Sequence, residues 1–127
     1  MDDRNLIAVA EQAAATSRVL RGPIAGCTIL ADDGRVFLGC RLEYEDPGLD
    51  QHPLDNALGA GRVQGMRRVV RGGFYSPEPG PGPAVPAATL RRLRELADPG
   101  FVLLCSYGTG ERTERPLAEL LAEAGLE

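Results

Sequence analysis

Phe101-Val102-Leu103-Leu104-Cys105 is an unbroken apolar run. A strand of that kind must be covered on both faces. The chain therefore has to supply helices for two sides of a sheet, which points to a layered α/β domain. Just before the run, Leu90, Leu93 and Leu96 recur at helical spacing, with Arg91, Arg92, Arg94 and Glu95 turned mostly outward, predicting a helix over 87–97.

The remaining elements follow from punctuation and period. Residues 3–20 read as a helix that Asp3 can cap, with Leu6, Ile7, Ala10, Ala13 and Ala14 on one face and a stop at Arg21-Gly22-Pro23. Residues 25–31 are small and apolar and read as a buried strand. Asp32-Asp33-Gly34 is a hairpin signal, and 35–40 is the returning strand. A loop rich in carboxylates (Glu43, Glu45, Asp46, Asp50) leads to His52-Pro53, and Pro suits the first turn of a helix over 53–64. Val69 to Tyr75 reads as a third strand, and the Pro- and Gly-rich stretch 76–85 as a stiff loop. Gly108-Thr109-Gly110 reads as a turn, and Pro116 starts a last helix carrying Leu117, Leu120 and Leu121. With 127 residues and no linker or repeat, the expectation is one domain, 1–127, as a three-layer α-β-α fold with a mixed central sheet.

Composition narrows the function. The net charge is −4, all 14 basic residues are Arg, and the clusters 67–71 and 91–94 are short, so no nucleic-acid partner is expected. No apolar run approaches the roughly 20 residues of a membrane span. The acidic start Met1-Asp2-Asp3-Arg4 is unlike a signal peptide, so a cytoplasmic location is expected. Cys27, Cys40 and Cys105 are widely spaced and odd in number, which favours reduced thiols, read as core residues. With one His and no Cys-x-x-Cys, the chain offers no evident metal set, and no cofactor is expected. There is no phosphate loop or dinucleotide fingerprint.

Gly26-Cys27-Thr28, Asp33-Gly34 and Gly39-Cys40-Arg41-Leu42-Glu43 stand in the order and spacing of motifs in the small cytidine deaminases. After Glu43 and eight intervening residues, His52-Pro53-Leu54 stands where that family has Cys-Ala-Glu or His-Ala-Glu. Pro86-Ala87-Ala88-Thr89-Leu90 stands where it has Pro-Cys-x-x-Cys. Over residues 20–122 the chain resembles the cytidine deaminase family, the small homo-oligomeric type, and is also similar to blasticidin S deaminase. The resemblance implies the three-layer α-β-α deaminase fold with a mixed central sheet of about five strands, and a dimer or tetramer.

It also implies a degenerate site. Zinc deaminases hold Zn²⁺ with a His or Cys and two Cys, and a Glu that is not a ligand moves protons. Of these only His52 remains. Leu54 stands for the Glu, and Ala87 and Leu90 for the thiolates, suggesting a site refilled with hydrocarbon. The family's Asn-x-Glu, which binds sugar hydroxyls, is here Arg41-Leu42-Glu43, and Arg is suited to carboxylate or phosphate. Arg41 is equally compatible with a surface pairing to Glu43, Glu45 or Asp46.

Three functional expectations result. One is a protein without the zinc site or the catalytic Glu, unable to deaminate, that binds a nucleoside-like or anionic small molecule through Arg41 and Glu43, or serves a structural or regulatory role. Another is a metal-free enzyme of a different reaction class, reusing the pocket in specialised metabolism, with His52, Asp55, Glu43 and Arg41 as its polar groups and His52 as a base oriented by Asp55, one helical turn on. The rival for His52 is a local hydrogen bond at a helix start. The third, an active zinc deaminase, needs ligands from a partner. In a used pocket, Glu43 and His52 are expected to matter for function more than for stability.

Overall fold

The computed structural model describes residues 1–77, 85–107 and 111–126. The elements in chain order are α1 (Asp3–Ala14), β1 (Gly26–Ala31), β2 (Val36–Cys40), a 3-10 turn (Pro47–Leu49), α2 (Pro53–Val63), β3 (Val69–Tyr75), α3 (Ala87–Leu96), β4 (Ala97–Ser106), β5 (Arg112–Pro116) and α4 (Leu117–Glu123). The sheet order is β2-β1-β3-β4-β5, with β3 and β4 parallel and every other pair antiparallel. This is a five-stranded mixed sheet in an α/β fold, as the sequence predicts.

Alternation along the strands separates the layers. On β1, Cys27, Ile29 and Ala31 join the main core with Leu54, Ala57 and Leu58 of α2, Leu90 and Leu93 of α3, and Leu117 and Leu120 of α4. The opposite face, with Gly26 and Thr28, receives α1. Thr28 donates its hydroxyl to the Leu6 carbonyl at 2.8 Å, and a Cβ on Gly26 would lie 2.1 Å from the Ala10 carbonyl oxygen. α2 lies as close on the other side. A Cβ on Gly39 of β2 would lie 2.4 Å from both the Ala57 nitrogen and the Pro53 oxygen. That approach presses the start of α2, and the residues just before it, onto the sheet.

The Asp32-Asp33-Gly34 hairpin forms as expected, with Gly34 at φ 90 and the Ala31 amide bonded to the Arg35 carbonyl. Other boundaries differ from expectation. α1 ends at Ala14, not residue 20, because Thr16 turns its hydroxyl back to the Ala13 carbonyl and Ser17 reaches the Ala25 carbonyl. Such side-chain bonds compete with helix continuation. Its cap is Asp2, which accepts from the Asn5 amide at 2.8 Å, while Asp3 pairs with Arg71. β4 begins at Ala97, directly after α3, and a register shift absorbs the exposed Asp98-Pro99-Gly100 before the apolar run. β5 has no counterpart in the sequence reading. The Gly108-Thr109-Gly110 turn and most of the 76–85 loop lie outside the described residues. Among the described residues no helix is long and apolar enough to cross a membrane.

Cys27 and Cys105 are fully buried in the core, and burial raises both thiols, Cys105 to about 11. Such thiols carry little thiolate at neutral pH. Cys40 departs from its core reading. It is only partly buried, with Sγ 3.7 Å from the Thr16 carbonyl oxygen.

Candidate functional site

Leu42 and Gln51 pair as an antiparallel bridge, with hydrogen bonds of 3.2 and 2.8 Å between their main chains. The bridge closes the loop 43–50 on itself. It draws Glu43, at one end, towards His52, at the other. Asn56 secures the helix that follows by donating its amide to the Cys40 carbonyl at 2.8 Å.

His52 is the N-cap of α2. Its Nδ1 accepts the Leu54 amide hydrogen at 3.1 Å, Pro53 takes the first helical position, and the Asn56 amide closes on the His52 carbonyl. A ring nitrogen that accepts an amide hydrogen carries no proton of its own, so the neutral ring holds its hydrogen on Nε2. The ring is about nine-tenths buried and stacks on Phe74, with centroids 6.0 Å apart and planes 19° from parallel. Nε2 is buried and has no hydrogen-bond partner among the described residues. Burial, reinforced by the Arg41 charge, pushes the imidazole down to about 4, against a small opposing effect of Asp55. His52 is neutral at pH 7.

Asp55 does not orient that ring through a hydrogen bond. One of its oxygens accepts from the buried Thr89 hydroxyl at 2.6 Å, and the other accepts from Arg92 at 2.8 Å. Both partners lie on α3, so the helical turn from His52 to Asp55 carries the carboxylate away to a different neighbour. Asp55 and Arg92 line a depression of about 380 Å³ with Leu58, Gly59 and Arg62, and with Asp50 and Gln51 at its border.

Glu43 is buried, with 5% exposure. Its Oε1 accepts from the amides of Leu20 at 2.6 Å and Arg21 at 2.7 Å, and the Gly22 amide lies 3.2 Å from both oxygens. These bonds, led by the Arg21 amide, hold the carboxyl below its ordinary value. The Glu43 amide also bonds the Arg18 carbonyl at 2.7 Å. Glu43 thus pins the strand-like return of residues 18–22. Arg21 adds a second pin by gripping both Asp50 oxygens, at 2.7 and 2.6 Å, which keeps Asp50 low as well.

Arg41 lies beside Glu43 with its NH1 4.0 Å from Oε2, beyond hydrogen-bonding range, and 3.5 Å from the Pro23 carbonyl oxygen. Arg41, Glu43, Asp50, Gln51, His52 and Pro86 line one cleft of about 290 Å³. The structure therefore brings Arg41, Glu43 and His52 together and sets Asp55 in the adjoining depression. Asp50 and Gln51 are cleft residues that sequence reasoning passed over. Their place immediately before His52 was the available signal.

Of the positions standing for family groups, Leu54 is fully buried and Leu90 is 2% exposed, both in the main core. Ala87 departs from the expectation of a hydrocarbon-filled site, since it is exposed at the first turn of α3. Among the described residues, no three His, Cys, Asp or Glu side chains stand close enough to hold a metal ion together.

No protein-family model and no curated protein matches the chain. Solved structures do. Cytidine deaminase from Burkholderia pseudomallei superposes with a TM-score of 0.83 at 22% identity, covering 94% of this chain and 96% of that one. Cytidine deaminase from Mycobacterium tuberculosis gives 0.72 at 28% identity, covering 95% of each chain. The Mycobacterium leprae enzyme gives 0.76 at 20% identity, covering 95% and 98%. Element order, the mixed sheet and these superpositions agree that the chain has a cytidine deaminase-like fold.

Proposed function

We propose that this chain is a cytidine deaminase-like protein that holds no zinc, does not deaminate cytidine, and uses the cleft at Arg41, Glu43 and His52 to bind a small molecule. The observation that carries the reading is the state of His52. Its Nδ1 lone pair is committed to the Leu54 amide, and its Nε2 carries the hydrogen. A metal ligand must present a free lone pair. Taking zinc on Nδ1 would strip the α2 cap, and taking it on Nε2 would require the ring to shed that hydrogen. The other positions that the resemblance assigns to the metal and the proton shuttle are Leu54, Ala87 and Leu90, which have no donor atoms. A single imidazole is a poor zinc site, because tight binding needs about four ligands converging at roughly 2.0–2.3 Å. The residues present do not fit the metal.

The same geometry weighs against the metal-free enzyme with His52 as base. The nitrogen that could accept a proton is the one capping α2, and the Asp55 carboxylate is engaged with Thr89 and Arg92. In this reading the chain is one domain acting in the cytoplasm as a homo-oligomer. Metal analysis tests the zinc statement. Protein purified from zinc-supplemented medium is expected to contain far less than one zinc per chain, with a thermal midpoint unmoved by chelator. A stoichiometric zinc content that is lost on His52→Ala would refute it.

A further inference from the structure

The cleft is uneven in what it has left to offer. Its acceptors are largely committed. Glu43 receives three amide hydrogens, two on Oε1 and one shared between both oxygens at 3.2 Å. Asp50 takes the Tyr44 amide at 2.9 Å and both contacts from Arg21, and the Gln51 side-chain oxygen takes the Tyr44 hydroxyl at 2.9 Å. Its donors are not committed. The Arg41 guanidinium has five N–H groups. It makes one long contact to the Pro23 carbonyl, and its nearest carboxylate oxygen is 4.0 Å away. His52, also in the lining, holds a buried Nε2–H that has no partner among the described residues.

A ligand completes such a cleft by bringing acceptors. Sugar hydroxyls gain less here, because the acceptor that would receive their hydrogens, Glu43, already takes the three amides of residues 20–22. We infer that the cleft takes the oxyanion of a small ligand, a carboxylate or a phosphate, with Arg41 as its charged donor. The charges permit this. Arg21 grips Asp50, three amides hold the Glu43 carboxylate, and Arg41 approaches Glu43 Oε2 only to 4.0 Å, without a hydrogen bond to it. Arg is suited to the task because its planar fork matches two oxygens at once. Gly22 leaves room for that guanidinium, since a Cβ there would lie 2.6 Å from its NH1. The inference rests on the ligand-binding part of the proposed function and specifies the ligand's chemistry.

The test is an NMR titration of the full chain at constant ionic strength with three separate probes: acetate, inorganic phosphate and cytidine. The expected result is saturable shifts of the Gln51 and His52 amides with acetate, phosphate or both, and none with cytidine. Arg41→Gln should weaken the anion by about tenfold or more, equivalent to about 1.4 kcal/mol. Arg41→Lys, which keeps the charge but loses the fork, should fall between, and this second variant guards against a folding defect in the first. Arg92→Met, in the adjoining depression, should leave binding unchanged. Saturation by cytidine alone overturns the oxyanion and leaves the ligand cleft standing. Anion binding indifferent to Arg41 overturns the assigned donor. If no probe saturates, the oxyanion inference and the ligand cleft beneath it both fall.

Discussion

Nδ1 of His52 accepts the amide hydrogen of Leu54 at 3.1 Å. That single bond ties the start of α2 to the ring and fixes which nitrogen carries the hydrogen. It also keeps the ring buried in its neutral form. Its consequences reach both stability and function.

The first consequence is a pH window. His52 is held near 4, against an ordinary value of 6.5, so the unfolded chain binds a proton in that interval and the folded chain does not. Stability must therefore rise with pH between about 4 and 6.5, by about 3 kcal/mol at most. His52→Asn, which keeps an N-cap acceptor but does not titrate, is expected to flatten this interval in urea unfolding measured across pH. An unchanged slope would show that the ring is not buried neutral.

Glu43 acts at lower pH and in the same direction. Its carboxyl is held below the ordinary value by the amides of residues 20–22, so its contribution is present at neutral pH and is lost as pH falls through that lowered value. Glu43→Ala is expected to lower the thermal midpoint at pH 7, because it leaves three amides without their acceptor. This departs from the expectation that Glu43 matters for function more than for stability. The difference between the two proteins should shrink in strong acid, and a midpoint unaltered at pH 7 would contradict the pinning role.

Asp55 is expected to behave as a link between α2 and α3. Asp55→Ala leaves the buried Thr89 hydroxyl unpaired and should cost about 1–3 kcal/mol. The exposed Arg92 pair contributes only about 0.2–1 kcal/mol of that loss. In a Thr89→Val background the cost should largely vanish, and a double-mutant cycle by chemical denaturation measures the coupling. Equal cost in both backgrounds would show that the contact carries no energy.

Gly39 sets how closely α2 approaches the sheet. Gly39→Ala would place a methyl group 2.4 Å from main-chain atoms of Pro53 and Ala57, which cannot give way as a flexible side chain would. It is expected to cost about 1–3 kcal/mol or more and to shift the His52 and Leu54 amide resonances. Native stability with unshifted resonances would contradict the close approach.

The fold was legible where period and punctuation were strong: the Asp-Asp-Gly hairpin, the apolar run of β4, and the start of α2 at Pro53. β5 was not legible, because Arg112-Thr113-Glu114-Arg115 has no apolar residue. It is a charged edge strand, with Arg115 buried against Glu119 and Glu123 of α4. Charge on an edge protects it from pairing with other chains, but it removes the alternation that reveals a strand. In the site, the spacing from Glu43 to His52 matched the family's motifs, and both residues line one cleft. What occupies Glu43 was hidden, because its partners are backbone amides, which leave no mark in residue type. The fate of Asp55 was hidden for a related reason. Helical spacing places it one turn from His52, and only tertiary packing supplies Thr89 and Arg92.

The most direct test is a deamination assay. Protein loaded with excess zinc is incubated with cytidine and with deoxycytidine, and the uracil nucleosides are quantified. The account predicts none above the rate without protein, for the chain as it stands and for Leu54→Glu, since one restored carboxylate does not replace the missing thiolates. Uridine formed in proportion to protein, surviving repurification and abolished by His52→Ala, would contradict it.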